Sequence, residues 1–178
     1  MKGAAVVAVM LSAAVAMGAQ DAPKKKPAGP RVKVELKNAQ GESAGTVMLV
    51  QVKKGVRMRV KLENLPIGQH AIHIHEVGKC DAPDFKTAGG HYNPDGKHHG
   101  FQKPEGHHAG DTPESIQVEE NHIGEKTMLL EGVTLDQFAN RAVVVHEKAD
   151  DQKSDPAGAA GNRVACGVIP AAPAAAAQ

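Results

Sequence analysis

The chain has 178 residues, a formal net charge of +1, three Phe, one Tyr and no Trp. That length suits one domain with a modest core, and the near-neutral balance gives no support to a polyanion binder. The shortage of aromatic rings argues against base stacking on a nucleic acid, whereas ten histidines stand out as an excess.

Residues 1–19 open on Met1-Lys2-Gly3, run apolar from Ala4 to Met17 and end in small residues. This pattern predicts a secretory signal peptide, with cleavage after Ala16 or Ala19 both compatible. A run this short, with no second apolar segment, predicts no lasting membrane anchor. Residues 20–30 are rich in Pro and Lys and read as an extended linker. The body of the chain is 31–170, and 171–178 is an Ala/Pro tail.

Within the body the apolar residues alternate with period two, the signature of half-buried strands. Strands are predicted over 32–36, 46–52, 56–62, 72–75, 115–119, 126–131, 142–146 and 163–169. No segment carries a 3.6-residue apolar stripe, although 135–139 suits a single helical turn. Many short strands separated by Gly, Pro and Asp predict a sandwich or barrel. Two irregular stretches, 76–113 and 147–162, are long enough to expect a function for them. In an oxidising compartment the two cysteines, Cys80 and Cys166, are expected to pair.

His73 and His75 are two apart on a predicted strand, so both imidazoles point to one side. His146 ends an apolar strand. His91, His98, His99, His107 and His108 crowd the first irregular stretch, with Asp111 just after them. Imidazole suits copper and zinc alike, and a carboxylate adds to zinc. Together these residues predict a metal site; composition and spacing leave open which metal, and whether there is one or two.

The segments His70-Ala-Ile-His-Ile-His-Glu-Val-Gly-Lys-Cys80, Ala88-Gly-Gly-His-Tyr-Asn-Pro94, His108-Ala-Gly-Asp111, Arg141-Ala-Val-Val-Val-His146 and Gly161-Asn-Arg-Val-Ala-Cys166, in that order, resemble the copper/zinc superoxide dismutase family in its bacterial, secreted form. The resemblance covers about 31–170. It implies an all-β fold, an eight-stranded Greek-key β-barrel of immunoglobulin-like sandwich architecture with two long functional loops; the fold assignment is a general property of that enzyme. It implies conversion of two superoxide anions and two protons to dioxygen and hydrogen peroxide by Cu(II)/Cu(I) cycling. Copper would be held by His73, His75, His91 and His146, and zinc by His91, His99, His108 and Asp111. His91 then bridges the two metals and acts with Arg163 in catalysis. His98 and His107 do not align with ligands. Asp150 matches the carboxylate that hydrogen-bonds the far ring nitrogens of His73 and His99, and Cys80 and Cys166 match the family's disulfide.

The resemblance also implies a periplasmic or secreted protein of the bacterial envelope. Homodimers and monomers both occur in the family, and the sequence decides neither. Ala71 and Asn140 stand where the family usually has glycine. The loop after His146 is short, so Lys148 and Lys153, opposed by Asp150, Asp151 and Asp155, or else Lys79, Lys86 and Lys97, are left to attract the anion. His70, His98, His107 and His122 read as hydrogen-bonded or solvated surface residues. The rival function is a periplasmic copper/zinc buffer or delivery protein on the same fold; it has no need of a bridging ligand or of Arg163.

Overall fold

A computed structural model of the protein describes residues 29–171. The predicted signal peptide, nearly all of the predicted linker and the tail beyond Ala171 lie outside the described residues. The strands are β1 (Arg31–Asn38), β2 (Ser43–Val52), β3 (Gly55–Glu63), β4 (Gly68–His70), β5 (Ile72–His75), β6 (Ile116–Val118), β7 (Ile123–Glu131), β8 (Ala142–His146) and β9 (Arg163–Val168). Each of the eight predicted strands is present. A ninth, β4, adds to them: the chain changes partner at Ala71, with β4 on β6 and β5 on β8. Ala71 is fully buried, its N–H donating to the Lys148 carbonyl and its carbonyl accepting from His146 N. The predicted helical turn is a 3-10 turn at Leu135–Phe138.

Seven strands form one antiparallel sheet in the order β5-β8-β9-β1-β2-β3-β7, and β4-β6 form a second. The alternation read from the sequence is the alternation of burial. Val32, Val34 and Leu36 on β1, and Val56, Met58, Val60 and Leu62 on β3, enter one core with Phe138, while Lys33, Glu35, Arg57 and Arg59 face solvent. Asn140, in a family glycine position, has φ 57, a left-handed conformation that Asn tolerates better than most residues.

Strands β5 and β8 depart from alternation because every one of their residues is buried. Ile72, Ile74, Val143 and Val145 belong to the main core. On the opposite face stand His73, His75 and His146, with Ala142 and Val144. The long loops cover that face, and the disulfide Cys80–Cys166 ties the first of them to β9. The bridge closes a separation of 86 residues. Reducing it should cost roughly 4 kcal/mol through the regained freedom of the unfolded chain, read as a lower urea midpoint for Cys80→Ser/Cys166→Ser. An unchanged midpoint would show that the loop is held without the bridge.

Candidate metal centre

The site is built on a sheet edge. Strand β5 is an edge strand, and its free backbone groups pair with the first loop instead of another strand. Ile74 N donates to Gly110 O at 2.8 Å, Tyr92 N to Ile74 O at 2.8 Å, and Glu76 N to Gly90 O at 3.0 Å. Pairing the edge in this way removes exposed ladder groups and delivers His91, His108 and Asp111 to the strand that carries His73 and His75. Glu76 Oε1 accepts from Gly90 N at 3.1 Å and fixes the same turn from the side. On the far side β8 pairs His73 with Val144 in register, so His146 lies one turn of the pleat away.

Two clusters result. His73, His75, His91 and His146 form one, and His91, His99, His108 and Asp111 the other; all are buried. His91 belongs to both. Its Nδ1 faces Asp111 Oδ1 at 2.8 Å. The same oxygen lies 3.0 Å from His99 Nδ1 and 3.2 Å from His108 Nδ1. Three ring nitrogens thus converge on one carboxylate. The other Asp111 oxygen accepts from Gly100 N and His108 N, which orients it. In the first cluster the His75 and His146 Nε2 atoms are 3.4 Å apart, and the His73 and His91 rings are 4.0 Å apart.

Most of the ring nitrogens that face away from the clusters have partners. His73 Nε2 and His99 Nε2 donate to the two oxygens of Asp150 at 2.8 and 2.9 Å. His75 Nδ1 donates to Gly89 O at 2.9 Å. These contacts fix the tautomers, leaving His73 Nδ1 and His75 Nε2 as lone-pair donors. His73 Nδ1, His91 Nε2 and His108 Nδ1 are buried without a hydrogen-bond partner. Buried polar nitrogens left unmatched are costly, and here all three belong to the clusters. The donor sets, four imidazoles and three imidazoles with a carboxylate, fit copper and zinc respectively.

Other parts of the site had weaker signals in the sequence. Gly158 (φ 64) lies against the Asp150–His99 contact, where any Cβ would collide with Asp150 Oδ1; a lone glycine in an irregular loop gave no hint of this. Ser115 Oγ accepts from Asp150 N at 2.9 Å. His70 is buried, not on the surface, with Nδ1 2.7 Å from the His146 carbonyl and Nε2 2.8 Å from the Pro66 carbonyl. His98 pairs with Asp155 and His107 stacks on Phe101; neither joins a cluster. His122 Nδ1 contacts the Leu65 carbonyl. Asp150 is turned inward, so it does not oppose the lysines of its loop. Arg163 pairs with His146 across a register shift, and its Nη1 and Nη2 donate to Phe85 O and Gly89 O at 2.7 and 2.6 Å.

Burial, reinforced by repulsion from neighbouring imidazoles, lowers the pKa of His75 to about 2, of His146 to about 3 and of His91 to about 4. Burial also works against charge on His99, but hydrogen bonds with Asp111 and Asp150 raise it to about 9. Burial likewise disfavours the Asp111 and Asp150 carboxylates. Hydrogen bonds from the histidines outweigh it and hold both well below the usual range. Three of the imidazoles are therefore neutral and ready to ligate at neutral pH.

In chelator-treated protein those three imidazoles bind protons in the unfolded chain below about pH 6.5 but not in the folded one. Stability should be full above that pH and fall as pH drops toward their folded values, by roughly 3–6 kcal/mol between pH 7 and pH 5. His99 acts oppositely: its contribution is full below about pH 6.5 and is lost as pH rises through about 9. Urea midpoints should therefore peak near pH 7, and a flat profile would rule out buried neutral imidazoles.

The chain matches the family model "Copper/zinc superoxide dismutase (SODC)" over residues 43–169. It is 44% identical over 144 residues to "Superoxide dismutase [Cu-Zn] 1" of Aquifex aeolicus, covering 76% of this chain and 85% of the relative. To "Superoxide dismutase [Cu-Zn]" of Escherichia coli it is 34% identical over 174 residues, covering 90% and 95%. Among solved structures, the "Cu/Zn superoxide dismutase from Brucella abortus" superposes with a TM-score of 0.69 at 30% identity over 78% of this chain and 99% of that one. A SOD-like protein from Bacillus subtilis does so with 0.71 at 33%, over 77% and 97%. The family match spans both clusters and strands β2 to β9, and the chain belongs to the copper/zinc superoxide dismutase family.

Proposed function

We propose that the protein dismutates superoxide, turning two superoxide anions and two protons into dioxygen and hydrogen peroxide. One observation carries this reading: two metal-ligand clusters share a single imidazole, His91, and a half-buried guanidinium, Arg163, stands beside the cluster of four histidines. A metal buffer accounts for the histidines but not for the shared ring or the arginine.

In this reading copper would be held by His73, His75, His91 and His146. Zinc would be held by His91, His99, His108 and Asp111. Copper supplies a one-electron couple, and zinc a fixed positive charge with no redox chemistry of its own. His91 lies in both clusters and would be shared between the two metals, and its Nε2, buried without a hydrogen-bond partner, is the atom able to hold a proton and pass it to the reduced oxygen product. Asp150 keeps His73 and His99 in one tautomer by accepting from their far nitrogens. Arg163 stays charged even though burial lowers its pKa; its charge is felt at His75 and His146. Two of its N–H groups are tied to carbonyls, and the remaining donors are free to hold a small anion. The catalytic domain is 31–170, behind a leader at 1–19. A periplasmic or secreted location in the bacterial envelope agrees with the Cys80–Cys166 bridge, which needs an oxidising compartment.

The copper- and zinc-loaded protein should dismutate superoxide, and His146→Ala should lose more than about a hundredfold in rate while retaining zinc. Two bound metals with no dismutation would overturn the enzymatic reading in favour of the buffer. Asp150→Asn should weaken zinc retention against a chelator by about 10–100-fold; unchanged retention would show that Asp150 does not orient His99.

A further inference from the structure

Arg163 does not position itself. Its guanidinium is held by two carbonyls of one short loop, Phe85 O and Gly89 O. The Gly89 carbonyl also accepts from His75 Nδ1, and the Phe85 carbonyl also accepts from Ala88 N at 3.1 Å in the 3-10 turn Lys86–Ala88. The Gly89 carbonyl is thus held from the metal side, whereas the direction of the Phe85 carbonyl depends on the backbone at Phe85, which sits at φ 53 and ψ 22. A bulky aromatic residue disfavours that left-handed conformation, so something must hold it there. Phe85 N donates to Asp81 O, and Phe85 is 2% exposed. Its ring lies in a small cluster, separate from the main core, with Ala88, Ala142, Val144 and the Cys80–Cys166 disulfide.

We propose that Phe85 is the positioning residue for the anion-holding arginine: burial of its ring against the disulfide and β8 locks the backbone whose carbonyl, Phe85 O, fixes one arm of the Arg163 guanidinium beside the cluster of four histidines. This rests on the dismutase reading for the role of Arg163. It assigns a role to a residue outside both ligand clusters and gives the disulfide a route to the anion site through Phe85. A smaller side chain would leave the left-handed backbone without its anchor, the Phe85 carbonyl would turn, and the guanidinium would lose one of its two fixing hydrogen bonds while Gly89 O and all seven ligands stayed in place.

The test uses the metal-loaded full chain and azide as the anion probe, followed by the Cu(II) absorption band and compared with kcat/KM for superoxide. Phe85→Ala should weaken azide binding and lower kcat/KM by about tenfold each, the size of losing one hydrogen bond to a charged group. It should keep both metals and the disulfide. Phe85→Leu, which refills the cluster, should recover most of both. Val47→Ala in the main core should lower the urea midpoint yet leave azide affinity at the parent value. If Phe85→Ala does not fold, Phe85→Val against Phe85→Leu gives the same comparison. Parent-like azide affinity in the smaller variants, or an equal loss in Val47→Ala, would overturn the proposal. A parent that binds both metals and azide but does not dismutate superoxide would overturn the dismutase reading, and the azide comparison would still decide the role of Phe85.

Discussion

The backbone pairing along the free edge of β5 is the constraint on which the site depends. Strand β5 holds His73 and His75 rigidly because β8 supports it from one side. Its other side is closed by the turn around Gly90–Tyr92 and by Gly110. One short strand thereby places ligands from three distant parts of the sequence within reach of one another. An unpaired edge would be a liability in any sheet; here its hydrogen-bonding groups serve as the template for the loop that carries His91.

That geometry sets the electrostatics. Enclosing the histidines strips them of solvent and drives three of them to the neutral form in which imidazole ligates. Two buried carboxylates, Asp111 and Asp150, balance the remaining side of the site. Asp111 gathers three Nδ1 atoms with one oxygen and is oriented by two backbone N–H groups on the other. Asp150 works from behind the rings. Gly158 leaves room for it, which is why a residue with no side chain matters as much to that contact as the carboxylate itself.

In the proposed reaction the anion is met by a different device. Arg163 lies at the register shift between β8 and β9, and the short loop after the disulfide holds its guanidinium. The apolar cluster around Phe85 is small and detached from the main core, so the loop can be firmly packed without altering the strands that carry the ligands. Asp84, whose charge also acts on Arg163, is paired with Lys86 at 2.7 Å. This limits how far it competes with an incoming anion.

Strand positions, the two-faced pattern of β1 and β3, and the pairing of His73 with His75 were legible in the sequence because period-two alternation and same-side spacing are local properties of an extended chain. The candidate ligand clusters and the place of Asp150 became legible only through the order of motifs that resemble a known family, since spacing alone did not separate His99 from His98 or His108 from His107. The full burial of β5 and β8, the change of sheet at Ala71, the inward turn of His70 and the tasks of Gly158 and Phe85 were decided by the tertiary structure. Each depends on which distant backbone covers which face, and no local periodicity encodes that. The sequence by itself determined the kind of strands and the chemistry of the donors. The folded chain decided which nitrogens converge, because convergence depends on contacts between residues dozens of positions apart.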